Sequence, residues 1–230
     1  MGRRVTPRPS DIQDEQSLLV SYLTLRRIVG GLGIALPIVL AVTGEMFYGR
    51  LQPSISAYYD LEHTRDLLVG ALFAIGFFLL TYRGYEREDD IAGYLCFGFA
   101  LCVALCRHDG PAALATVHFA AACGLFLTLA YYSFFLFTKT SGEMTTEKKT
   151  RNKIYRGCGI AIVVCLGIVA VHSTYALITG AEAKAWRPLF WLESTMLWAF
   201  GWSWMIKGAT LWRDAGLPPA LKPAERRTGK

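Results

Sequence analysis

A few ionisable side chains lie where few are expected. His118, His172 and Glu193 sit inside long apolar runs, Asp66 opens another, and Glu45 lies near the end of the first. Titratable groups are costly in hydrocarbon, so those that persist there are candidates for function. Ser54, Ser56, His63 and Arg65 come from the polar stretch LQPSISAYYDLEHTRD, residues 51–66, which ends on Asp66. Histidine and carboxylates beside hydroxyls can do three kinds of work. They can hold a zinc-like ion and activate water, with Asp66, His118 and Glu193 as ligands. They can share protons in a hydrogen-bond network. They can also line a polar pocket for a lipid headgroup or small amphiphile, built from Ser54, Ser56, Arg65, Asp66, His118, His172 and Glu193.

Each residue has a plainer reading. Ala115, Ala121 and Ala122 surround His118 at helical spacing. Small neighbours allow close helix approach, so His118 faces a bundle interior, where an interhelical hydrogen bond explains it as well as a metal does. Asp66 opens a helix, and a carboxylate favours the positive dipole end. Ser54 and Ser56 flank Ile55 after Pro53, as in an ordered turn. Glu193 is harder to dismiss, because a carboxylate in a span needs a partner, and His118 or Arg65 could serve. His118 and His172 at similar depth could ligate haem, but such pairs arise easily and haem is not expected. A retinal-type lysine is absent, since Lys207 lies at a span boundary. The six cysteines fall within or at the ends of apolar runs, which argues against a disulfide framework. Cys102 and Cys106 share a helix face, but small buried thiols need no metal. No phosphate loop, nucleophile elbow or H-E-x-x-H motif is present. No cofactor is therefore expected outside the zinc alternative.

The elements that must position these groups are membrane helices. The chain of 230 residues is 53% hydrophobic and only 18% charged, with the apolar residues clumped into long runs. Such runs match the hydrocarbon thickness of a bilayer. They predict an all-α, polytopic bundle of six transmembrane helices at about 27–47, 66–82, 91–106, 112–137, 156–178 and 189–206. A polar N-terminal tail, 1–25, a membrane domain, 26–208, and a polar C-terminal tail, 209–230, divide the chain. Gly30, Gly31, Gly33 and Ala35 offer the first span a small-residue face, and Pro37 is a candidate kink. The N-terminal residues do not read as a signal peptide, and Met1-Gly2 with Thr6 is too short a pattern to argue for myristoylation. The net charge of +6 comes from residues flanking the runs, not from a basic face, so nucleic acid is not an expected partner.

Lys and Arg set the orientation. With the N-terminus inside, nineteen fall on the cytoplasmic side and five on the other. Both termini should then be cytoplasmic, with 51–66 facing outward from an inner (plasma) membrane. Tyr58, Tyr59, Trp186 and Trp191 would mark one interface, and Tyr82, Tyr85, Tyr155 and Trp212 the other. The basic 138–155 segment could dock a cytosolic partner subunit, but a positive-inside anchor accounts for it more simply.

The motifs QPSISAYY, RDLLVGALFAIGFFLLTYRGYERED, RNKIYRGCG and FWLESTMLWAFGWSWMIKG, spread over 22–208, resemble an uncharacterised family of small bacterial inner-membrane proteins. The resemblance implies a six-span architecture and no particular activity. The serine-bearing loop before an acidic helix start is more distantly similar to the Frag1/DRAM/Sfk1 membrane proteins. It is also similar to the superfamily of alkaline ceramidases and progestin-and-adipoQ receptors, which implies a zinc-dependent lipid hydrolase. That superfamily has seven spans and a late pair of intramembrane histidines, which this chain lacks. The leading expectation is an outer-facing pocket for a lipid headgroup or amphiphile, with the metal-dependent hydrolase and the partner subunit as alternatives.

Overall fold

The computed structural model describes residues 9–82, 86–139, 145–180 and 187–208. Six α-helices run through them: α1 (Pro9–Tyr48), α2 (Glu62–Thr81), α3 (Arg87–Leu105), α4 (Ala112–Tyr131), α5 (Thr146–Thr179) and α6 (Pro188–Lys207). A five-residue 3₁₀ helix, Ser56–Asp60, lies between α1 and α2, and a π turn, Tyr132–Leu136, extends α4. The described residues contain no strand, as expected for an all-α protein. The myristoylation pattern, the C-terminal tail, and Tyr85, Trp186 and Trp212 lie outside the described residues.

Local chemistry sets the helix ends. Gly49, at φ +62°, ends α1 and donates its N–H to Glu45 O over 2.9 Å. Gly180, at φ +66°, ends α5 in the same way on Ala176 O. Both are the left-handed stop that glycine adopts without a Cβ penalty. Glu86 and Asp89 form a reciprocal capping box at the start of α3. The Thr145 side chain accepts the Lys148 N–H at the start of α5, and Pro188 opens α6.

Four helical stretches are long and apolar enough to cross a membrane: Tyr22–Tyr48, Glu62–Thr81, Ala112–Leu136 and Thr146–Ala176. Their outward faces are apolar too, with Ile38, Val42, Phe119, Val164 and Val171 at least half exposed. Water would not tolerate so continuous an apolar surface, whereas lipid does. The α3 and α6 helices fall outside this set. The first carries Glu88, Asp89 and Asp90 in its opening turn, and the second carries Glu193, Ser194, Thr195 and Ser203.

Three sequence expectations shift. Helix α1 starts at Pro9, so residue 25 marks a change in polarity and not a helix boundary. It also passes through Pro37 as one helix. Helix α5 starts at Thr146 and absorbs half of the basic segment that reads as loop.

Each helix packs against the next in the chain, and α6 returns to α1, so the six form a closed ring. The return contact is tight. A Cβ on Gly30 would lie 2.7 Å from Gly201 O, and one on Gly201 would lie 2.6 Å from Gly30 O. Gly33 faces the Phe200 ring, while Gly31 faces open space. The small-residue face of α1 is thus real, but only Gly30 and Gly33 use it. Near the ends where α2 and α6 finish, Tyr82, Tyr132 and Phe137 surround Trp204, with ring centroids 4.9–5.7 Å from it. The other end of the ring is closed by a cap, the α1–α2 connection.

Candidate functional site at the cap

The cap begins where Gly49 stops α1. Pro53 stiffens the chain, and Ser54 Oγ accepts the Ala57 N–H over 3.1 Å, which turns the backbone into the 3₁₀ helix. Tyr58 then points inward and is fully buried. Its hydroxyl accepts the Gln52 N–H over 3.3 Å, its carbonyl accepts the Thr64 hydroxyl over 2.7 Å, and its ring packs on Phe190. Gly44 makes room, since a Cβ there would lie 2.6 Å from the Tyr58 ring. Burial pushes the Tyr58 phenol above its ordinary pKa.

Helix α6 grips the cap twice. The Phe190 N–H, one of the first-turn donors with no partner inside its own helix, donates to Pro53 O over 3.0 Å. One turn further on, Glu193 Oε2 accepts the Ile55 N–H over 2.5 Å. The Ser56 N–H is directed to the same carboxylate. The sequence suggests His118 or Arg65 as the partner of Glu193, but its hydrogen-bond partner is a backbone amide of the cap, that of Ile55. A carboxylate is the strongest acceptor available for two successive N–H groups, which explains the choice.

Helix α4 grips the cap from a third direction. His118 is buried, with Nδ1 2.8 Å from Cys106 O and Nε2 3.0 Å from Ser56 Oγ. A carbonyl only accepts, so Nδ1 carries the proton and Nε2 accepts from the Ser56 hydroxyl. The Cys106 carbonyl lies at the end of α3, where no further helical turn takes it up. One imidazole thus connects α3, α4 and the cap. A serine hydroxyl held on an oriented imidazole is also the arrangement that activates serine for acyl transfer.

Ser56, His118 and Glu193 are therefore brought together, with Ser54 shaping the turn beside them. The other candidates lie elsewhere. Asp66 is in the second turn of α2 instead of at its start, and Leu61 and Glu62 occupy the positions that the sequence assigns to it. Its side chain is 84% exposed, and its ion-pair partner is Arg65 at 3.7 Å. His172 lies far along α5 with its Nδ1 buried and without a partner. His63 pairs with Tyr48 and stacks on Phe47, and Glu45 is exposed. Asp66, His118 and Glu193 do not form a metal-sized cluster. Both His118 nitrogens are occupied, which also removes its free donor for haem.

One cluster is not foreseen from the sequence. Asp60, His108 and Asp109 present donor atoms within 4.8 Å of one another, the only such group among the described residues. Arg107 sits among them, bidentate on Asp109 at 3.0 and 2.9 Å and 3.6 Å from Asp60. Its hydrogen bonds hold the Asp109 carboxyl below the usual carboxylate range. The guanidinium already supplies the positive charge a metal would bring. The signal lay in the RHDGP run, which reads as a tight connection only. Comparison with protein-family models, with curated proteins and with solved structures gives no match to this chain.

Proposed function

We propose that the chain is a six-span inner-membrane protein with both termini cytoplasmic, and that its outward-facing cap is a lid over a polar site for a lipid headgroup or small amphiphile. The observation that carries this reading is the use made of the buried ionisable groups. Glu193 and His118 bond mainly to a loop, through its amides and the Ser56 hydroxyl. A carboxylate kept only to brace helices would pair with another helix. Bonds to a short loop can be exchanged one for one with the hydroxyls and phosphate oxygens of a headgroup.

The test is lipid mass spectrometry on gently purified protein, comparing the parent with the double variant His118→Ala, Glu193→Gln. The parent should retain a defined amphiphile that the variant loses. Equal retention of the same amphiphile would defeat the proposal.

A second reading rests on one specific geometry, the Ser56–His118–Cys106 carbonyl relay. Here Ser56 Oγ attacks an ester or amide carbonyl while its proton passes to His118 Nε2. That proton then goes to the departing alcohol or amine, and water releases the acyl group by the same route in reverse. A fluorophosphonate probe should label Ser56 in the parent and not in His118→Ala. An unlabelled parent would leave only the binding role.

A further inference from the structure

A groove of about 340 Å³ runs between α3 and α4, away from the cap. Its walls are Ile91, Leu95 and Leu127, each about half exposed, with Ala92 at the base. Thr128 also lines it, but its hydroxyl is turned back onto Gly124 O in its own helix, so the wall is apolar along its length. Only one end is polar. There the Tyr131 hydroxyl donates to Glu88 Oε2 over 3.4 Å, and Lys139 Nζ bridges Glu88 at 2.8 Å and Glu86 at 2.7 Å. These groups stand at the start of α3 and just beyond the π turn that follows α4. They therefore flank the ends of the apolar segments, where headgroups lie.

The occupant is constrained by this layout. The volume falls in the range of small-molecule sites, and the walls suit a hydrocarbon chain. Two carboxylates against one ammonium leave one negative charge at the mouth. A primary ammonium can donate to Glu86 or Glu88 while the neighbouring phosphate reaches Lys139. A quaternary choline has no N–H to donate. A purely anionic headgroup meets two carboxylates. We propose that this groove binds one acyl chain of an amine-headed, zwitterionic phospholipid, with its ammonium on the Glu86–Glu88 pair.

The experiment reconstitutes the full chain in vesicles containing equal parts of phosphatidylethanolamine and phosphatidylcholine with matched chains. It is then partly delipidated, and the retained lipids are counted by native mass spectrometry. A charge-assisted hydrogen bond at an exposed mouth predicts a roughly fivefold excess of ethanolamine lipid. The excess should fall to the bulk ratio in Glu88→Gln, and retained lipid of either kind should drop in Leu95→Trp, which fills an already exposed wall. Val171→Trp, at an exposed apolar position of α5 that lines neither the groove nor the cap, should leave both results unchanged. Retention in the bulk ratio by the parent, or an excess that survives both groove variants, would overturn the proposal.

Discussion

The Ile55 N–H and the Glu193 carboxylate meet across 138 positions of sequence at 2.5 Å. This single bond ties the start of the cap's 3₁₀ helix to the second turn of the last helix. It makes the cap depend on α6 as well as on the two helices that the cap joins.

Replacing Glu193 with Leu should leave the Ile55 amide without its acceptor, a loss of about 1–3 kcal/mol for a buried group. Glutamine retains one acceptor oxygen and should cost less. Hydrogen exchange at the Ile55 and Ser56 amides gives the direct readout. Unchanged protection there in Glu193→Leu would show that the carboxylate does not hold the cap.

The His118 tautomer is fixed by its partners. Nitrogen chemical shifts of labelled histidine should report a neutral ring protonated at Nδ1. A proton found on Nε2 would mean that Ser56 is not the donor. A double-mutant cycle between Ser56→Ala and His118→Ala should return a coupling of about 0.5–3 kcal/mol, as for directly bonded groups.

The glycines of α1 separate cleanly. Gly30→Ala places a methyl 2.7 Å from the Gly201 carbonyl, where only backbone can give way, and overpacking of this sort costs about 1–3 kcal/mol. Gly31→Ala meets open space inside a helix and should be neutral or stabilise by up to about 1 kcal/mol. Thermal unfolding in one detergent ranks the two. A Gly31→Ala protein less stable than Gly30→Ala would contradict the α1–α6 contact.

The Lys139 bridge predicts a pH window. Hydrogen bonding from Lys139 lowers the Glu88 pKa below its ordinary 4.5, so its contribution is full above that value and fades as pH falls through the lower, folded one. The bonds from Glu86 and Glu88 raise the Lys139 pKa above its ordinary 10.5, so its contribution is full below that value and fades as pH rises through the higher, folded one. Between these limits the bridge should be insensitive to pH, while added salt should weaken it. Glu88→Gln should flatten the acid limb of a melting-temperature profile. A limb of unchanged steepness would assign the acid response to other carboxylates.

The helices were legible because apolar runs of membrane length leave few alternatives, and glycine at 49 and 180 marks two of the stops. The inward face of His118 was legible from its alanines. Side-chain direction elsewhere was not. A helix that is apolar on every face carries almost no amphipathic signal, so nothing in the sequence told Asp66, which faces out, from Thr64, which is buried two positions earlier. The partner of Glu193 was hidden for a different reason. Backbone amides leave no trace in residue identity, so a search for a basic partner passes over them. Arg107, His108 and Asp109 were overlooked because a short polar run between two spans reads as connection, and only folding shows Asp60 beside it.

The Gly30–Gly201 contact also bears on how the chain is made. Of the six described helices, the first to be synthesised packs closely on the sixth. Until α6 has packed against α1, the notch at Gly30 stays open, and Ile55 waits without its acceptor. Five helices can assemble in chain order, each against the one before, yet the bundle stays unsealed at one seam. The arrival of α6 shuts that seam and fastens the cap together. A chain cut short of residue 188 would thus lack both the partner of Gly30 and the acceptor of the Ile55 amide.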